Sequence, residues 1–330
     1  MQSSQIFQPR TNLKPYEYPD LVEYKDAIRQ SYWVHDEFES EFTQDVQDFK
    51  TALTAKEQDV VRKTMLAIAQ IEVNVKEFWG DLFKHIPKPE IGAVGYVFSE
   101  SETRHFDAYS HLLDLLGLNE DFREITEVGA IADRIEYLTE YTRGHKSRGT
   151  NKSYAMSLLL FSIFIEHVSL FSQFLIMMAF NRNKQVLSGI SNAVEATSKE
   201  EQIHGDFGIH LISLILEENP SWFDEEFKDS VHVACEKAYK AETKVLNWIF
   251  EKGEIDFLSR TSVDAFVRDR FNRSLESIGV ETLYVVNEGD LRQVKWFDEE
   301  ILSSAHVDFF HKRPTSYSKN NKSFAVEDLF

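Results

Sequence analysis

Of the chain's eleven histidines, two follow a glutamate by three residues: His105 in ETRH and His204 in EQIH. On a helix, residues three apart share a face, so each pair can present a carboxylate and an imidazole to one ion. Such a spacing also arises by chance about once in a chain of ordinary glutamate content, so the surroundings decide. Phe98, Glu102, His105, Tyr109, Leu112 and Leu116 step by three or four, the rhythm of a buried stripe. Val194, Thr197, Glu201, His204, Gly208, Leu211 and Ile215 make a second. Both Glu–His pairs therefore face a core, with the Tyr109 phenol one turn beyond His105.

Two further apolar stripes each carry one carboxylate. Glu72 interrupts Val61, Met65, Ile68, Val75, Trp79 and Leu82, and Glu166 sits within Leu159, Ile163, Leu170, Gln173, Met177 and Phe180. Two helices giving one glutamate each, and two giving Glu-x-x-His, is the pattern of a helical bundle around two metal ions. Electrostatics favours that reading. Two buried carboxylates about 5 Å apart repel by roughly 3 kcal/mol at an effective dielectric near 20. Removing each from water costs several kcal/mol more. Four glutamates with two neutral imidazoles carry a charge of −4, which two divalent cations cancel. Oxygen-rich ligands with one nitrogen per metal suit manganese or iron rather than structural zinc.

These stripes need long helices, and the rest of the sequence supplies them. Only 13 glycines and 7 prolines occur in 330 residues. Thr54 and Glu57 form a capping box, opening a helix predicted to run to Ile86, where PKP at 87–89 stops it. Further helices are predicted over about 91–117, 120–143, 156–180, 184–217, the 220s to 251 and 261–278, with RGHKSRGTN at 143–151 a basic loop. The apolar run at 156–180 is interrupted by Glu166, His167 and Gln173, which reads as a buried helix and not a membrane span. A net charge of −19 argues against nucleic acid or an anionic membrane as partner. The N-terminus lacks the pattern of a signal peptide, so a cytoplasmic protein is expected. A single cysteine, Cys235, excludes a disulfide framework and reads as an inert buried thiol.

SESETRH-x3-Y, IEHVSLFSQF and EEQIH resemble the most specific segments of the small, radical-generating (beta) subunit of class I ribonucleotide reductase. The resemblance spans about residues 20–330. It implies an all-α, ferritin-like helical bundle with a carboxylate-bridged di-metal site, over 26–305, after an extended segment at 1–25 and before a flexible tail at 306–330. Glu72, Glu102 and His105 would ligate one metal, Glu166, Glu201 and His204 the other, with Glu102 and Glu201 as candidate bridges. Tyr109 falls where the family houses its tyrosyl radical. Trp33 matches the tryptophan that passes an electron hole toward the large subunit, and Tyr317 the relay tyrosine of the tail. FAVEDLF resembles the terminal peptide that docks into the large (alpha) subunit, and a homodimer is implied. The implied activity is that of a ribonucleoside-diphosphate reductase, exercised only with that large subunit.

Three departures from the familiar members refine this. Glu72 and Glu200 stand where those members have aspartates, and Lys76 places a cation one turn after Glu72. The combination resembles the class Id subgroup, which keeps its oxidising equivalent on a dimanganese centre and is activated by superoxide. A Mn/Mn cofactor is implied, with Fe/Fe or Mn/Fe as alternatives. In that subgroup Tyr109 stays unoxidised and Lys76 helps to draw in the anionic oxidant. The rival readings are a related ligand-binding di-metal oxidase, which needs neither Trp33 nor Tyr317, and a non-catalytic ferritin-like metal-binding protein.

Overall fold

A computed structural model describes residues 5–73 and 75–311, with side chains outside 144–148 and 302–311. Tyr317 and the FAVEDLF peptide lie outside the described residues. The helices in chain order are α1 (Val22–Gln30), α2 (Glu39–Thr51), α3 (Ala55–Ile71), α4 (Val75–Gly80), α5 (Leu82–His85), α6 (Pro89–Leu116) and α7 (Asn119–Arg123). They continue with α8 (Gly129–Arg148), α9 (Asn151–Leu160), a π segment (Phe161–Ser169) and α10 (Phe171–Lys184). The chain then forms α11 (Ser188–Glu218), α12 (Glu225–Ile249), α13 (Arg260–Ser277) and α14 (Glu288–His311). No strand occurs among the described residues beyond one isolated bridge between Ile255 and Leu258.

The Thr54–Glu57 capping box forms as expected: Glu57 N–H donates to Thr54 Oγ1 and Thr54 N–H to Glu57 Oε2. The helix it opens is shorter than the predicted one. It ends at Ile71, and the chain resumes in the short α4 and α5. Lys76 explains how the break is tolerated, because its ammonium donates to the Glu72 and Val73 carbonyls at 3.0 and 2.9 Å. Those carbonyls would otherwise lack partners at a helix end. The interruption lets α4 lie along α6 and turn Trp79 inward.

Residues 143–151 also differ from expectation. The basic segment stays helical through Arg148, and only Gly149 and Thr150 separate α8 from α9. Gly149 has a φ of 63°, which glycine adopts without steric cost. The Thr150 hydroxyl then accepts from Ser153 N–H and caps α9. From Asn151 to Lys184 the chain is long and apolar enough to span a membrane, yet every residue of its most apolar stretch is buried by other helices. The expected buried core helix is therefore present, with a π segment at its centre that hydrophobic periodicity did not reveal.

That segment lies hard against α11. A Cβ on Gly208 would come within 1.8 Å of Ser162 Oγ, and one on Gly205 within 2.1 Å of the His167 ring. Two glycines on one face of α11 thus allow the close approach. At the N-terminal end, residues before α1 strap the tips of the bundle. Glu90 at the start of α6 accepts from Arg10 and from the Glu17 and Tyr18 amides. Glu218 at the end of α11 accepts from Ile6 N–H and the Tyr18 hydroxyl.

Candidate metal centre

The structure brings Glu72, Glu102, His105, Glu166, Glu201 and His204 together in the bundle core, all at most 1% exposed. Their ligand atoms form two overlapping groups, Glu72–Glu102–His105 and Glu102–Glu166–Glu201–His204, each within 4.8 Å. Glu102 belongs to both. It turns Oε2 to His105 Nδ1 at 3.3 Å and Oε1 to His204 Nδ1 at 3.0 Å. Glu201 is the mirror of this, with Oε1 at 3.0 Å from His105 Nδ1 and Oε2 at 3.4 Å from His204 Nδ1. Two carboxylates thus span the space between two imidazoles, which is the geometry a bridging ligand needs.

The outer nitrogens decide what the inner ones can do. His105 Nε2 lies 2.8 Å from Glu200 Oε2, and an ionised carboxylate only accepts, so Nε2 carries the proton. His204 Nε2 lies 2.9 Å from Ser101 Oγ, whose own proton goes to the Phe98 carbonyl, so Nε2 donates again. In the neutral imidazoles both Nδ1 lone pairs then point into the cluster. Such outer partners fix the ring orientation of metal-binding histidines.

Both oxygens of Glu72, Glu102 and Glu201, and both Nδ1 atoms, are buried without hydrogen-bond partners. The Nδ1–carboxylate approaches are near enough for ion pairing but lack hydrogen-bond geometry. Buried polar atoms left so are rare because each costs free energy. Here they converge, and cations bound among them would satisfy all at once. The donor set fits a di-metal site.

Burial first, then the neighbouring carboxylates, drives Glu166 above the ordinary carboxylate range, and burial likewise raises Glu72. Glu201 moves the other way: burial opposes its charge, but the facing Glu166 carboxyl and the His105 and His204 imidazoles outweigh that and hold it low. Both imidazoles are raised, since the facing carboxylates overcome the burial that disfavours their charge. Without metal the cluster holds protons in place of cations.

The remaining predicted residues surround this cluster. The Tyr109 hydroxyl donates to Thr197 Oγ1 at 3.1 Å, and burial together with the Glu72 charge raises its pKa and keeps the phenol protonated. The Trp33 ring stacks on His105, with centroids 5.9 Å apart and planes at 20°. Glu200 reaches His105 but not the Trp33 indole. Its other oxygen accepts from Arg104 and Ser31, and Trp33 Nε1 has no hydrogen-bond partner among the described residues. The link from His105 to Trp33 is therefore ring stacking, reinforced by Arg104 donating to the Trp33 carbonyl at 3.0 Å. Lys76 stays outside the cluster, held by the Glu72 and Val73 carbonyls with its ammonium 4.3 Å from the Phe106 centroid.

Sequence reasoning missed four partners. Trp79 donates from Nε1 to Glu166 Oε1 at 2.8 Å, Ser101 orients His204, Thr197 holds Tyr109, and Arg104 joins Glu200 to Trp33. Trp79 was visible only as an apolar member of the Glu72 stripe. Nothing in its spacing announced that its one polar side-chain atom meets Glu166.

The sequence profile of a family described as "Ribonucleotide reductase, small chain" matches residues 10–290. The chain is 26% identical to the ribonucleoside-diphosphate reductase subunit beta of Chlamydia pneumoniae, over 72% of this chain and 69% of that one. Its fold is similar to that of a ribonucleotide reductase R2 subunit from Clostridium botulinum, with a TM-score of 0.73 and 16% identity, covering 85% of this chain and 88% of the other. The dimanganese(II) NrdF of Streptococcus sanguinis gives a TM-score of 0.70 at 17% identity, covering 89% and 99% of the two chains. The family match spans the whole ligand cluster and the helices that carry it, and the chain belongs to the ribonucleotide reductase small chain family.

Proposed function

We propose that this small subunit holds a dimanganese cofactor and serves a separate large subunit in reducing ribonucleoside diphosphates. The observation that carries this reading is the convergence of unpartnered carboxylate oxygens and two inward Nδ1 lone pairs in a buried core. Glu72, Glu102 and His105 would hold one ion and Glu166, Glu201 and His204 the other, with Glu102 and Glu201 bridging. When bound and oxidised, the metal pair supplies a one-electron oxidising equivalent for making a cysteine thiyl radical in the large subunit.

The protein's own groups orient and insulate that centre. Glu200 and Ser101 fix the histidine tautomers, and Trp79 directs one Glu166 oxygen away, leaving the other for metal. Tyr109 keeps its proton, because its hydroxyl faces Thr197 and not a carboxylate that could take it. Trp33, stacked on His105, would carry the electron hole outward, and Tyr317 would continue the relay. The terminal FAVEDLF peptide would dock to the large subunit, and the small subunit would act as a homodimer. Lys76 would lend positive potential to the Glu72 side, favouring an anionic oxidant such as superoxide.

Metal analysis with EPR, on protein loaded with Mn(II) or Fe(II) and treated separately with O2 and superoxide, tests the reading. The expected result is two manganese ions per chain and an oxidised signal only after superoxide. A signal formed from iron and O2 alone would overturn the dimanganese assignment.

A further inference from the structure

Outside the carboxylate cluster, one buried cation touches both segments that carry the second ligand set. Arg270 of α13 is 6% exposed, and its guanidinium lies 3.5 Å from the Phe171 ring centroid. Its Nε donates to the carbonyl of His167, the residue after Glu166. Its Nη2 donates to Gln202 Oε1 at 3.2 Å, and Gln202 is the residue after Glu201. Gln202 Nε2 in turn lies 3.1 Å from His167 Nε2, which closes a ring of three residues through the His167 main chain. On the far side, Nη1 lies 3.5 Å from Asp298 Oδ1 of α14.

The His167 carbonyl stands where the π segment gives way to α10, whose ladder opens with Phe174 N–H to Leu170 O at 3.0 Å. A π-helix pairs residues five apart and an α-helix four apart, so carbonyls at the join lose regular partners. Arg270 brings a donor to that join and spends another on α11. Arginine suits the task because its planar fork addresses several acceptors in fixed directions, whereas lysine offers a point charge.

We propose that Arg270 is a positioning residue for the two-metal centre: it ties the Glu166 segment to the Glu201–His204 helix and sets the spacing of that ligand set. The inference rests on the di-metal reading given above. Asp298 anchors the guanidinium from α14, and Gly205 leaves room for the His167 ring within the clamp.

The test is Mn(II) binding to the full-length metal-free protein, by equilibrium dialysis with EPR of the bound ion. The wild type is expected to bind two ions per chain. Arg270→Gln is expected to weaken one of them by about tenfold or more, the scale seen when an outer partner of a metal ligand is lost. The other ion, which shares only the bridging Glu102 and Glu201 with that set, should lose less. Arg270→Lys, with charge but no fork, should recover little of the loss. Gln202→Leu removes only the α11 arm and should weaken the same ion, which gives a second reading if Arg270→Gln folds poorly. Lys63→Met deletes another buried cation, 2% exposed and paired with Asp59 and Glu251, and should lower the melting temperature while both ions still bind. Unchanged binding in Arg270→Gln or Gln202→Leu, or an equal loss in Lys63→Met, overturns the proposal. A wild type that binds no Mn(II) overturns the di-metal reading itself and this inference with it.

Discussion

Each of the two imidazoles is held between a proton acceptor or hydroxyl outside and carboxylates inside, so its inner nitrogen has two competing occupants. In the metal-free cluster the raised pKa values of Glu72, Glu166, His105 and His204 favour protons at the atoms a metal would occupy. Ligation requires those protons to leave. The sign follows: a raised group in the metal-free fold stabilises it at low pH, and that contribution is lost as pH rises through the raised value. Metal affinity moves the other way and should increase as pH rises through the raised values, with protons released on binding. Calorimetric titration with Mn(II) in buffers of different ionisation enthalpy measures both, and a pH-independent affinity would contradict the protonated cluster. At the same scale, Tyr109 bonded to Thr197 is a poor site for a radical that must lose its proton. Tyr109→Phe is therefore expected to retain most of its reductase activity when assayed with the large subunit, and complete loss would favour a tyrosyl radical instead.

Among the elements, the ligand helices were legible and their deformations were not. Glu102–His105 and Glu201–His204 announced themselves because α6 and α11 are long, regular and buried along one stripe, so periodicity and chemistry coincide. Glu72 and Glu166 were placed correctly on inward faces, yet each lies where its helix departs from α geometry: one at the end of α3, the other inside the π segment. Those departures come from tertiary contact, which hydrophobic spacing does not encode. The close approach of α11 to the π segment has a sequence trace only in Gly205 and Gly208, and a glycine in a helical pattern does not say what it approaches. Gly208→Ala tests the contact. Its Cβ would meet both Ser162 Oγ and Cβ, at 1.8 and 2.4 Å, so rotating one hydroxyl does not relieve the clash. Overpacking of this kind costs about 1–3 kcal/mol. Urea unfolding of the metal-free variant should show that loss, and its Mn(II) affinity should fall as the Glu166 segment is pushed away. A variant as stable as the wild type would mean the segment yields freely.

At the scale of the whole molecule, the chain reads as an insulated core, with outward connections proposed at Trp33 and at the C-terminal end. The core was legible because burying so many carboxylates calls for cations or protons to neutralise them. The outer connections were read by resemblance, since an aromatic at the rim or in a polar segment has no spacing rule of its own. Of these proposed connections, docking to a large subunit has the clearest energetic consequence. The last seven residues combine Phe324, Val326, Leu329 and Phe330 with Glu327 and Asp328. Fully burying one such apolar side chain contributes about 1.5–3 kcal/mol, and ordering the peptide and losing free translation offsets part of that. The surplus is what the proposed docking of the terminal peptide would draw on. Deleting residues 318–330 should therefore weaken binding to the large subunit by about a hundredfold or more, measured by surface plasmon resonance with the large subunit immobilised. The deletion removes no residue of the metal cluster, so the truncated chain should still bind two Mn(II) ions and melt at the wild-type temperature. Undiminished affinity in a truncated chain that passes both controls would place the docking surface on the folded body instead.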